Sequence, residues 1–165
     1  MNLRSPEQDL RAYLLGAGGP SPSAGSAGAG RWTIQRDLLD RAEGTHGTFS
    51  GVVLFVPTPD GGLALREEGT MHWPSFTGPA SRDYLLRTAE RPDALDVFFP
   101  DGRPFHRMSF SPEASLDSHW CDPDTYRVSY AYQSPDSFSY TWDVKGPRKD
   151  LLLTSHLTRA RSTAA

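Results

Sequence analysis

The chain has 165 residues, of which 37% are hydrophobic and 11% aromatic, with 15 Gly and 14 Pro. This is enough for one domain with its own core, and so many Gly and Pro imply many turns joining short strands. A formal charge of -3 with no Lys/Arg block argues against nucleic acid or an anionic membrane as partner. A single cysteine, Cys121, excludes an internal disulfide, and no apolar run reaches the ~18 residues of a membrane span. With a polar start lacking a signal-peptide pattern, the expectation is a cytoplasmic protein.

Ser5-Pro6-Glu7 has the pattern of a helix start, with Ser as N-cap, Pro in the first helical position and an acid in the first turn. Leu10, Tyr13 and Leu14 form one apolar stripe and Gly16 ends it, predicting a helix of roughly three turns. Residues 16–30 are a Gly/Ser/Ala/Pro linker, flexible by composition. Residues 1–30 therefore read as a helix and linker forming a mobile arm, with a flap or dimer arm as the functional alternative.

From Arg31 the period becomes two. Trp32, Ile34 and Arg36 share a face; Phe49–Val56 is a β-rich run; Pro59-Asp60-Gly61-Gly62 is a turn leading to a partner strand, Leu63–Gly69. Asp40–Gly47 is a candidate short helix lidding one end. Arg82, Tyr84 and Leu86 share a face; Leu95–Phe99 and Phe105–Phe110 flank the Asp101-Gly102 turn. Tyr126, Val128, Tyr130 and Tyr132 follow, then Phe138, Tyr140, Trp142 and Val144, then Leu151, Leu153, Ser155 and Leu157, after which the chain is expected to fray. About nine short strands in meander order predict an all-β antiparallel barrel, closed to avoid open edges, over residues 31–159, with a polar tail at 160–165.

The motifs Trp32-x-Ile34-x-Arg36, Phe49-x-Gly51 with Phe55, Glu67-x-Gly69, Arg82-x-Tyr84, Asp101-Gly102-Arg103-x-Phe105-His106, His119-x-Cys121-x-x-Asp124-x-Tyr126 and Gly146-Pro147-Arg148-Lys149-Asp150 together resemble a family of small, largely uncharacterised proteins with a calycin-like (lipocalin-like) barrel. The resemblance spans about residues 30 to 159. It implies eight to ten strands around a pocket and carries no secure activity. Gly30-x-Trp32 also resembles the lipocalin start, where Trp closes the barrel base against an Arg from a late strand; Arg148 or Arg159 would fill that role here.

Chemistry-bearing residues concentrate between Phe98 and Tyr126. His106 titrates near neutrality and suits acid–base work, beside Arg103, which would disfavour its protonation. The plain alternative is a buried neutral His bonded to a carbonyl. His119 and Cys121 point the same way in a strand and, with His106, offer a His/His/Cys metal set, though without the spacing of a closed zinc site. Cys121 is a candidate nucleophile or, more simply, a buried inert hydrophobe. Asp122-Pro123-Asp124 is a turn, with Asp124 as a candidate orienter of a His. Lys149 is a candidate Schiff-base amine or a solvated turn residue. Glu67 is expected to form a buried ion pair with Arg82 or Arg36; alternatively an arginine clamps a carboxylate or phosphate.

The resulting expectation is a small-molecule-binding barrel, leaning to an enzyme that needs no cofactor and performs isomerisation, condensation or cyclisation. Its catalytic candidates are His106, His119, Lys149 and Cys121. Its substrate-binding candidates are Arg82, Arg103, Glu67, Tyr84, Tyr126, Tyr130 and Trp142, facing a small anionic or aromatic metabolite. A non-catalytic carrier or sensor is the alternative, and haem or metal binding through a histidine the second. A homodimer is compatible with all three.

Overall fold

A computed structural model describes residues 5–16 and 30–160. Among the described residues, ten strands follow one short helix, α1 (Leu10–Leu15): β1 (Gly30–Asp40), β2 (Thr45–Pro57), β3 (Leu63–Trp73), β4 (Phe76–Thr88), β5 (Ala94–Phe98), β6 (Pro104–Ser109), β7 (Leu116–Cys121), β8 (Asp124–Ser134), β9 (Ser137–Lys145) and β10 (Asp150–Arg159). The strands form one antiparallel sheet in the order β6-β5-β4-β3-β2-β1-β10-β9-β8-β7. Ladder pairing of β1 with β10 curls this meander into a nearly closed barrel. Its seam lies between β6 and β7, where the Arg107 N–H donates to Asp117 Oδ2 at 2.5 Å.

Alternation sets the inside and outside. Along β1, Trp32, Ile34, Arg36 and Leu38 are buried, while Arg31, Thr33, Gln35 and Asp37 are exposed. Such strict period two folds only with one face inward, because a one-residue slip would bury the charged set.

β7 was not expected. Its apolar Leu116 and Trp120 are 74% and 63% exposed, while Asp117 and His119 are the more buried residues. The hydrophobic signal is inverted, so periodicity passes over it. Residues 41–44 form the β1–β2 turn instead of the expected lid helix, with Asp40 Oδ1 accepting from the Ala42 and Glu43 amides. β10 runs on to Arg159 instead of fraying after Leu157, because the Arg159 side chain is fixed at the base.

The base of the barrel is built from α1 and Trp32. Asp9, not Ser5, caps the helix, accepting from the Ala12 amide at 2.9 Å; residues 6–8 form only a turn, which makes the helix shorter than three turns. Gly16 ends it with φ +70, a left-handed value that glycine adopts freely. Leu10, Tyr13 and Leu14 are at most 1% exposed. The helix is thus docked into the core and is not a mobile arm. The linker reading for residues 17–29 and all but the first residue of the polar tail fall outside the described residues.

Three contacts hold that end. Trp32 Nε1 donates to the Leu14 carbonyl at 2.9 Å, and the Tyr13 hydroxyl to the Ser134 carbonyl at 2.9 Å. The Arg159 guanidinium lies 4.2 Å from the Trp32 ring centroid and donates to the carbonyls of Tyr13 and Pro135. Gly30 completes the seat, since a Cβ there would collide with the Leu14 carbonyl. Arg148, the other candidate for the Trp32 partner, is exposed on the β9–β10 turn.

Candidate functional site

The apolar base fills only one end of the barrel. Above it lies a cavity of about 590 Å³ lined by residues of nine strands, β2 to β10, within the range of small-ligand sites. Its floor includes Phe55, Leu86, Met108, Phe138 and Leu157; Arg103, Pro104, Trp120 and Cys121, all exposed, mark its mouth.

A polar belt crosses the middle. Strand register puts Arg36, Ser155, Tyr140 and Tyr130 in one row over β1, β10, β9 and β8, and Glu67 opposite Arg82 on β3 and β4. Arg36 donates to both oxygens of Glu67, at 2.7 and 2.8 Å, to Ser155 Oγ at 2.7 Å and to the Tyr140 hydroxyl at 2.7 Å. Arg82 Nε donates to the same Glu67 Oε1 at 3.0 Å, so both expected ion pairs form and share one carboxylate. Burial opposes the charge on Glu67, but Arg36 and Arg82 outweigh it and hold the carboxyl below its ordinary range. Burial and repulsion from Arg36 oppose the Arg82 charge; Glu67, Tyr140 and Tyr84 together outweigh them and the guanidinium stays protonated. Among the described residues, Glu67 is the only carboxylate paired with Arg82, which lines the cavity.

Above and beside the belt stands an aromatic wall. Phe105 stacks on Phe99 at 4.5 Å and on Trp142 at 5.0 Å; Tyr84 lies 5.7 Å from Phe105. Neither Phe99 nor Phe105 was among the substrate-binding candidates, although Phe105 belongs to the Asp101–His106 motif, because both read as ordinary strand residues until the two ends of the sheet meet.

His106 is the belt's last member. Its ring is edge-on to Trp142 at 4.8 Å and roughly parallel to Tyr130 across the seam at 6.0 Å. Burial, opposed by the Arg107 carbonyl and Asp117, pulls its pKa down to about 4, so the ring is neutral at neutral pH. Arg103, the neighbour expected to act on it, instead pairs with Asp101 at 2.7 Å and sits over Phe99. Since a carbonyl can only accept, the 3.3 Å contact with the Arg107 oxygen makes Nδ1 the protonated nitrogen.

His119 reaches the wall from β7, 5.1 Å from Phe105 and 6.4 Å from Tyr126 between ring centroids. Cys121 is exposed at the mouth, contrary to the buried-hydrophobe reading, because it ends an edge strand. Among the described residues no three of His, Cys, Asp and Glu come together as a metal site, so His106, His119 and Cys121 do not form one set. Asp124 is buried and pairs with Lys149 at 3.3 Å, so it orients no histidine. Lys149 is outside the cavity wall, and the Tyr126 hydroxyl and Asp124 raise its pKa, opposite to what a Schiff-base amine needs. All seven substrate-binding candidates, Arg82, Arg103, Glu67, Tyr84, Tyr126, Tyr130 and Trp142, line the one cavity, as do His106, His119 and Cys121.

Ten antiparallel strands, a base closed by Trp32 under Arg159 and a ligand-sized interior define a calycin-like barrel. The chain belongs to a family of unknown function (DUF6314), whose signature matches residues 29–159. The S-type phycobiliprotein lyase CPES from Guillardia theta has a similar structure, with TM-score 0.55 and 11% identity over 81% of this chain and 89% of that one. A de novo designed fluorescence-activating β-barrel aligns with TM-score 0.42 and 15% identity over 79% of this chain and 92% of that one. Another barrel, mFAP2b bound to DFHBI, gives 0.43 and 19% over 79% and 92%. The comparison with curated proteins gave no match. Among the described residues, no helix is long and apolar enough to cross a membrane.

Proposed function

We propose that the chain binds a small anionic aromatic molecule in the barrel cavity. The observation that carries this is Arg82, a cavity-lining cation that shares its carboxylate with Arg36 and stands beside a stacked aromatic wall. Two guanidiniums against one carboxylate leave the belt one positive charge in excess. Inside a low-dielectric cavity such an excess favours an anionic guest, and a planar fork suits a carboxylate. Tyr84, Phe105 and Trp142 give such a guest ring faces to pack on.

The test is calorimetric titration of naphthoate and its methyl ester into the wild type and Arg82→Met. The wild type is expected to bind the acid at least about tenfold more tightly than the ester, and the variant to level the two. Equal binding of acid and ester by the wild type would refute the reading.

A proton-transfer enzyme without a cofactor is the second reading. It is favoured by two histidines on one cavity, His106 and His119, with ring centroids 4.6 and 5.1 Å from Phe105. Against it, a pKa of about 4 makes His106 a weak base at neutral pH, which leaves the proton work to His119. A cytoplasmic setting accompanies both readings and is supported by a free, exposed Cys121.

A further inference from the structure

Resting on the anionic-ligand reading, we propose that the cavity selects a planar monoanion with a hydrogen-bond donor at the end away from its acid, of the hydroxyaryl carboxylate class. Two features of the belt support this independently, one by charge and one by hydrogen-bond polarity.

The charge feature fixes how many negative charges the guest carries. Arg36 and Arg82 supply two positive charges and Glu67 one negative; exposed Arg103 at the mouth is matched by Asp101. One carboxylate on the ligand brings the belt to neutrality. A second would be desolvated with no opposite charge left for it, which is costly.

The polarity feature concerns His106. Nδ1 is committed as donor to the Arg107 carbonyl, so Nε2 carries the lone pair. Among the described residues no group donates to Nε2, yet the side chain lines the cavity. Asp117, Tyr130, His119, Phe105 and Trp142 surround the ring, and none donates to it. The tyrosine rings do not substitute for a ligand donor: Tyr130 lies roughly parallel to His106 at 6.0 Å between centroids. A guest O–H or N–H would satisfy that lone pair, and the packed rings of Tyr84, Phe105 and Trp142 connect the surroundings of Arg82 to those of His106. A flat ring system is the shape that touches both.

The experiment uses the full chain at pH 7.5 and four calorimetric probes. These are hydroxynaphthoate with its hydroxyl at the end opposite the acid, the methoxy analogue, the methyl ester of the hydroxy acid, and the naphthalenedicarboxylate with acids at both ends. The hydroxy acid is expected to bind about fivefold more tightly than the methoxy acid and about tenfold more tightly than the dicarboxylate. His106→Phe is expected to erase the hydroxy-to-methoxy ratio while keeping the preference for acid over ester.

The outcomes separate the two levels of the argument. If acid beats ester but methoxy equals hydroxy, or the dicarboxylate binds most tightly, this inference falls and the anionic-ligand reading stands. If His106→Phe retains the hydroxy preference, the role given to His106 is wrong. If acid and ester bind alike, or no probe binds at millimolar concentration, both readings fall.

Discussion

Arg36 grips both oxygens of Glu67, at 2.7 and 2.8 Å, with the two side chains only 3% and 5% exposed. A charge pair so deeply placed is held less by its own attraction than by the surrounding bonds to Ser155, Tyr140 and Arg82.

Removing one partner therefore costs more than removing both. Arg36→Met leaves Glu67 dependent on Arg82 alone and is expected to cost about 3–5 kcal/mol. Arg36→Met with Glu67→Leu is expected to recover at least half of that loss. Urea unfolding midpoints at pH 7 measure both; a double variant no more stable than the single would show that the geometry, not the stranded charge, was lost.

Stability is expected to fall on mild acidification because of His106. Its folded pKa is about 4, below the ordinary 6.5, so the unfolded chain binds the proton more readily. The contribution is complete above pH 6.5 and is lost as pH falls toward 4. Between pH 7.5 and pH 5 the loss is about 2 kcal/mol. Glu67, with its depressed pKa, adds a further loss at lower pH, as its carboxylate protonates. In His106→Gln the first of these slopes should flatten while the second stays; denaturation at a series of pH values reads both.

The helix docked at the base should behave as core. Leu14 is 0% exposed, and Leu14→Ala is expected to cost about 2–5 kcal/mol, as for any buried leucine. An arm lying free of the barrel would show a change near zero. Thermal or urea unfolding decides between them, and intrinsic fluorescence of Trp32, bonded to the Leu14 carbonyl, should shift with the substitution.

The sequence by itself determined the barrel and much of its interior. Period-two alternation from Trp32 to Leu157, broken by Asp-Gly and Gly-Gly turns, admits few arrangements other than a closed antiparallel meander. Inward charges at Arg36, Glu67 and Arg82 had to pair, so the belt was foreseeable from alternation and electrostatics alone. Closure of Trp32 by an arginine was readable as a resemblance that offered Arg148 or Arg159, and the fold takes Arg159.

Only the tertiary structure decided which strands meet at the seam and what faces what across it. β7 hid because its apolar residues point outward, and Phe99 and Phe105 became a stacked wall with Trp142 only when the β5–β6 hairpin and β9 came together. Whether Lys149 lies in the cavity and whether Cys121 is buried were likewise undetermined, since turn and edge positions take their surroundings from distant segments. The physical reason is common to all of these. Alternation is a local property that specifies a residue's face, whereas pocket membership, pKa and pairing depend on strand register and barrel closure, which are set by contacts far apart in the chain.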